Sequence, residues 1–202
     1  PRWLDDDRLV FASNRNDPGQ RHLFAVWARG EKRGEVEPLV GTQGSNVHPR
    51  PSPDGDRVAY LHADRTRSAE LRIHGVGDDP ASAGTPVTTS DVADWPVEPV
   101  EPELVSVESP DGWEIPGYLL DPRDAEAVAD DATDLPAVIW VHGGPMRQMR
   151  DGWHPGRAYG LPYTFHQYLA ARGYVGLCVN YRGGIGYGKE FRQGIAEDPG
   201  SE

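Results

Sequence analysis

Cysteine occurs once in these 202 residues, as Cys178, and lysine only twice, as Lys32 and Lys189. A lone cysteine excludes an internal disulfide and fits a reducing compartment, so a cytoplasmic location is expected. Its place between Leu177 and Val179, in an apolar run, assigns Cys178 to core packing rather than to reactivity. No stretch reaches the roughly 18 apolar residues that a membrane-crossing helix needs, and nothing resembles a secretory leader. The histidines at 48, 62, 74, 154 and 166 lack metal-ligand spacing. There is neither a G-x-G-x-x-G run nor a P-loop, so no metal and no cofactor is expected.

The shortage of lysine is not a shortage of charge. Arginine occurs 18 times against 19 aspartates and 13 glutamates, for a net charge of −12. A strongly acidic, nearly lysine-free surface reads as salt adaptation, in which negative charge keeps the protein soluble. Such a surface argues against nucleic acid or an anionic membrane as a partner. No feature of the chain sets an oligomeric state.

What is present is concentrated in the second half. Val138-Ile139-Trp140-Val141 is an apolar run suited to a strand buried on both faces, and it leads directly into His142-Gly143-Gly144-Pro145. Adjacent glycines let the backbone bend sharply and present N–H groups with no side chain in the way. Such donors suit an oxyanion hole, where they meet the negative oxygen of a tetrahedral acyl intermediate. Gly144 is the candidate donor, Gly143 supports the turn, and His142 is read as bonding within the loop.

The spacing then predicts a helix over 163–173, with Phe165, Tyr168 and Leu169 on one face and Gly173 at its end. A strand follows at 174–180 and opens into Tyr181-Arg182-Gly183-Gly184-Ile185-Gly186-Tyr187-Gly188. Strand, helix, strand is the crossover unit of a parallel sheet. Arg182 is read as pairing a local carboxylate or carbonyl. The glycines at 183–188 have the wrong spacing for phosphate binding.

His-Gly-Gly-Pro, a helix ending in Leu-Ala-Ala-Arg-Gly-Tyr, and Asn-Tyr-Arg-Gly-Gly-x-Gly-Tyr-Gly-x-x-Phe together resemble the hydrolase domain of the prolyl oligopeptidase family, in its acylaminoacyl-peptidase and dipeptidyl aminopeptidase-like branch. The resemblance covers roughly residues 100–202. It implies a serine peptidase acting on short or N-acylated peptides, an α/β-hydrolase domain capped by a β-propeller, and an oxyanion donor at Gly144.

The first half fits that implication. Arg8-Leu9-Val10-Phe11 recurs as Arg57-Val58-Ala59-Tyr60 some 48 to 49 residues later, each copy preceded by an Asp-rich turn and followed by a partner strand, at Leu23–Val26 and Leu71–Val76. A period in the forties of short strands fits propeller blades. Trp3, Trp27 and Trp95 are expected in the blade core. The expected organisation is two partial blades of a WD-like propeller over 1–98 and the N-terminal part of an α/β-hydrolase over 99–202. These are joined by the Pro-spaced stretch 95–102, and a hairpin turns at Asp111-Gly112. The acidic stretch from Asp121 to Asp134 reads as a solvated loop.

The chain opens inside a repeat without a methionine, runs out at Asp198–Glu202, and holds no G-x-S-x-G elbow. It therefore reads as a fragment without the Ser-Asp-His triad, inert as it stands. The alternative is a non-catalytic, propeller-linked binding protein with a degenerate hydrolase half.

Overall fold

The computed structural model describes residues 1–90, 95, 97–144 and 146–195. It divides the chain into two compact units, Pro1–Ala93 with Gly152–Pro155, and Asp94–Asp151 with Gly156–Glu202.

In the first unit, the repeated Arg-apolar-apolar-aromatic stretches are the second strands of two antiparallel four-stranded sheets. One sheet runs β1 (Arg2–Trp3), β2 (Arg8–Ser13), β3 (His22–Trp27) and β4 (Val36–Val40). The other runs β5 (Ser45–Pro51), β6 (Arg57–Ala63), β7 (Glu70–Gly75) and β8 (Thr85–Pro86), again in chain order. β5 carries Pro49 and Pro51. It is an edge strand, where a missing N–H deprives no neighbour. Its register shifts between Val47 and Arg50, and His48 there takes a positive φ of 58°. Leu4, Val10, Leu23, Ala25, Val40, Val58 and Tyr60 form one buried cluster shared by both sheets.

Trp3 is not part of that core. Alternation along an extended chain sends Leu4 inward and Trp3 outward. Trp3 is 51% exposed, with the Arg29 guanidinium 4.9 Å above its ring. Trp27 is half-buried under Arg8 and Lys32. β7 turns polar residues inward instead. Glu70 and Arg72 are both buried and pair at 2.9 Å. Burial alone would raise the Glu70 carboxyl, but the Ser90 N–H and the Arg72 guanidinium bring it below its ordinary value.

The second unit holds β9 (Glu103–Glu108), β10 (Glu114–Leu120), β11 (Ala137–Val141) and β12 (Val175–Val179), in the order β11-β12-β10-β9. β9 and β10 are the hairpin expected around Asp111-Gly112, with Gly112 at φ 86°. β11 and β12 are parallel, joined through α1 (Arg157–Ala170), and a short α2 (Gly188–Gln193) follows the glycine-rich loop. Cys178 is buried in β12 between Tyr118 and Met149, and burial pushes its thiol up to about 12, so it is inert core.

Two sequence expectations are corrected here. β11 is covered on one face only. Ile139 and Val141 are 62% and 65% exposed, and they align in register with Leu177 and Val179 of β12. An apolar run has no periodicity to show which face is covered. In α1, which begins at Arg157 and contains Pro162, the inward residues are Tyr163, His166, Gln167 and Ala170, while Phe165 and Tyr168 face outward. Gln167 is fully buried because its amide answers a backbone. Its Oε1 accepts the Val100 N–H at 2.7 Å and its Nε2 donates to the Val100 carbonyl at 2.8 Å. Gly173 (φ 86°) lies in the turn ending the helix, where the Tyr174 N–H reaches back to the Leu169 carbonyl.

His166 lies against Gly176 of β12 and edge-on to Trp140, and neither ring nitrogen has a partner among the described residues. Burial holds its imidazole below the ordinary 6.5 and therefore neutral. Between the two pKa values the unfolded chain binds a proton that the folded chain refuses. Stability from this group is thus present above about pH 6.5 and lost as pH falls toward the lower folded-state value. Thermal melts are expected to drop between pH 7.5 and 5.5, and the drop is expected to be smaller in His166→Leu. An unchanged pH dependence in that variant would show that other groups set it.

Candidate active site

The turn after β11 exists because nothing bulky occupies it. Gly144 sits at φ 83°, a left-handed conformation that residues with a Cβ avoid. Both Gly143 and Gly144 are exposed, and neither N–H has a hydrogen-bond partner among the described residues. Pro145, the last residue of the expected turn, lies outside the described residues.

The carbonyls of the same turn are, by contrast, taken. The Tyr159 hydroxyl, from the first turn of α1, donates to the Gly143 carbonyl at 3.0 Å. The Tyr181 hydroxyl, just after β12, donates to the His142 carbonyl. His142 itself is buried, stacked on the Tyr181 ring with centroids 4.6 Å apart, and its Nδ1 lies 3.4 Å from the Gly143 carbonyl. Burial depresses the imidazole below its ordinary value, opposed by the Gly143 carbonyl and the Asn180 side chain. It is a loop-bonding residue, as read from the sequence. Burial, seconded by Tyr159, raises the Tyr181 phenol, so at neutral pH it remains a donor.

Behind the turn, Asn180 fixes the returning chain. Its Oδ1 accepts the Met149 N–H at 2.7 Å, and its Nδ2 donates to the Met149 carbonyl at 3.0 Å and to the Tyr187 hydroxyl at 2.9 Å. The glycine-rich loop packs against the same segment. The Ile185 N–H bonds the Arg147 carbonyl, and a Cβ on Gly186 would stand 2.5 Å from Gln148 Nε2. These glycines allow close packing. Arg182 pairs with Asp111 at 2.5 Å and lies over Trp113, so its carboxylate partner stands 71 positions away where the sequence suggested a local one.

The structure thus brings together Gly143, Gly144 and His142 from the motif. It adds Tyr159, which the sequence does not single out, and gives bonding partners to Asn180 and Tyr181, which open the Asn-Tyr-Arg-Gly-Gly motif. Among the described residues no three His, Cys, Asp or Glu side chains could hold a metal ion, and no helix is long and apolar enough to cross a membrane.

Two exposed amides at the end of a parallel strand suit an oxyanion site, and the chain's relatives are peptidases. It is 39% identical over 136 residues to dipeptidyl aminopeptidase BIII of Pseudoxanthomonas mexicana, a match covering 66% of this chain and 16% of that protein. It is 33% identical over 103 residues to the uncharacterized peptidase YuxL of Bacillus subtilis (strain 168), covering 50% of the chain and 13% of the relative. In structure it matches an acylaminoacyl peptidase of Pyrococcus horikoshii with a TM-score of 0.65 at 21% identity, covering 94% of this chain and 26% of that one. A puromycin hydrolase mutant complexed with PGG matches with a TM-score of 0.66 at 22% identity, covering 89% and 25%. No protein-family profile matches the chain. The chain is a relative of the prolyl oligopeptidase-family peptidases, and it spans less than a third of the length of each of these proteins.

Proposed function

We propose that this chain is part of a serine peptidase hydrolysing short or N-acylated peptides, with Gly144 supplying an oxyanion N–H and Gly143 supporting its turn. The two four-stranded sheets are read as propeller blades over 1–98, and the mixed sheet as the opening of an α/β-hydrolase domain over 99–202. The observation that carries the reading is the pair of unbonded, exposed amides at the end of a parallel strand in a chain related to peptidases. In this reading a serine outside these residues attacks the acyl carbon. A histidine carries its proton to the leaving amine, and an aspartate orients that histidine. Gly144 N–H, with the N–H after the nucleophile, receives the oxyanion. The acidic surplus and scarce lysine support a salt-adapted protein, and the lone cysteine supports a cytoplasmic one.

The test uses the complete gene product in salt-containing buffer. Hydrolysis of blocked and free dipeptidyl p-nitroanilides is expected, as is stoichiometric loss of activity on labelling by a fluorophosphonate, with one modified serine in peptide maps. A folded product that neither hydrolyses these substrates nor takes the label would overturn the peptidase reading and leave a binding protein with a degenerate hydrolase half.

A further inference from the structure

The two tyrosine hydroxyls at the turn are attached to consecutive peptide groups, and the geometry of a peptide gives that a consequence. In a planar trans peptide the C=O and the following N–H point in opposite directions. Whatever holds the Gly143 carbonyl therefore aims the Gly144 N–H, and whatever holds the His142 carbonyl aims the Gly143 N–H. Tyr159 holds the first and Tyr181 the second.

Such a restraint is needed here. With glycine on both sides, the 143–144 peptide can rotate by about half a turn at little steric cost, because glycine occupies both signs of φ. Gly144 at φ 83° is one of the two states. In the other, the Gly144 N–H points where the Gly143 carbonyl now is, and that donor is lost. A Cβ on Gly143 would meet nothing within 4 Å, so the turn is open on that side.

We propose that Tyr159 and Tyr181 are positioning residues that aim the Gly144 and Gly143 amides by holding the carbonyls of Gly143 and His142. The proposal rests on the reading of Gly144 as an oxyanion donor and adds what keeps that donor in place. The two tyrosines come from separate elements, the start of α1 and the end of β12, so the turn is pinned from both sides of the crossover. Tyr159 acts on the peptide that carries the donor and is the more important of the two. Tyr181 also covers His142 with its ring, which a phenylalanine would still do.

The test compares Tyr159→Phe and Tyr181→Phe in the complete gene product. Both changes keep the ring and remove only the hydroxyl. Tyr159→Phe is expected to lower kcat by about tenfold, the factor set by losing one ordinary hydrogen bond, with KM within about twofold. Affinity for a peptide boronate, whose tetrahedral adduct needs the donor, is expected to fall in parallel with kcat. Tyr181→Phe is expected to do less. With 15N-glycine labelling, the Gly144 amide order parameter is expected to drop from about 0.85 to below about 0.6 in Tyr159→Phe.

A Tyr159→Phe enzyme with an unchanged kcat and a rigid Gly144 amide overturns the proposal, as does a change confined to melting temperature. If the wild-type protein hydrolyses nothing, the peptidase reading fails instead. The order parameter then decides alone whether Tyr159 holds the turn.

Discussion

Alanine in place of Gly44 is expected to destabilise the N-terminal unit by about 3–5 kcal/mol, the range of a substitution that forces backbone apart. Gly44 lies at φ 107°, and a Cβ built on it would stand 2.3 Å from the Ala63 carbonyl oxygen and 3.1 Å from Asp64 Cα. Those are backbone atoms of a paired strand, so no side chain can swing aside. The residue is also at a junction of the two sheets. Its carbonyl accepts the Arg21 N–H at 3.0 Å and its own N–H donates to Gln20 Oε1 at 3.0 Å. Moving it therefore disturbs the bridge between Arg21 and Ser45. Gly34 is the control. It has a similar φ of 93° with nothing within 4 Å of its Cβ position, so alanine there costs only the left-handed backbone, about 1–2 kcal/mol. Thermal unfolding of the two variants separates conformational strain from collision. Equal shifts would show that the strand at Ala63 yields freely.

Gly144→Ala is expected to lower kcat/KM by about 10- to 100-fold with little change in melting temperature. Space is not the obstacle, since the nearest atom to a Cβ there is Arg147 Cγ at 3.4 Å. The obstacle is φ 83°, which costs an alanine about 1–2 kcal/mol. Rotating the 143–144 peptide relieves that strain by carrying residue 144 to negative φ, and it reverses the N–H. The fold is preserved and the donor is lost, up to the full contribution of one oxyanion contact, about 10²–10³-fold. Steady-state kinetics with a dipeptidyl p-nitroanilide, alongside calorimetry, gives both halves of the result. An alanine variant with full activity would show that the Gly144 amide contributes no stabilisation to the transition state.

The residues that sequence reading located are those whose role is set by their immediate neighbours. β3, β7, β11 and β12 follow from short apolar or alternating runs, the Asp111-Gly112 hairpin from a turn dipeptide, and the His142–Gly144 turn from two glycines after a strand. Positions decided by distant partners are different. Nothing in the surroundings of Tyr159 indicates a bond to a carbonyl 16 residues earlier, nor of Tyr181 to one 39 residues earlier. The buried face of α1 is likewise set by a distant partner. Hydrophobicity puts Phe165 inside, but the face that packs is the one carrying Gln167, whose amide closes on the Val100 backbone. Pro49 and Pro51 are tolerated in β5 because it is an edge, a property of the assembled sheet that no local run displays.

That bond between Gln167 and Val100 spans 67 positions and closes both backbone groups of a single residue. It gives the second unit an order of assembly. The segment before β9 has no strand to join at Val100 and gains its partner only when the helix has been made and laid down. The entry to the domain therefore cannot be fastened before that helix has formed. Synthesis from the N-terminus would leave residue 100 waiting for a helix not yet translated.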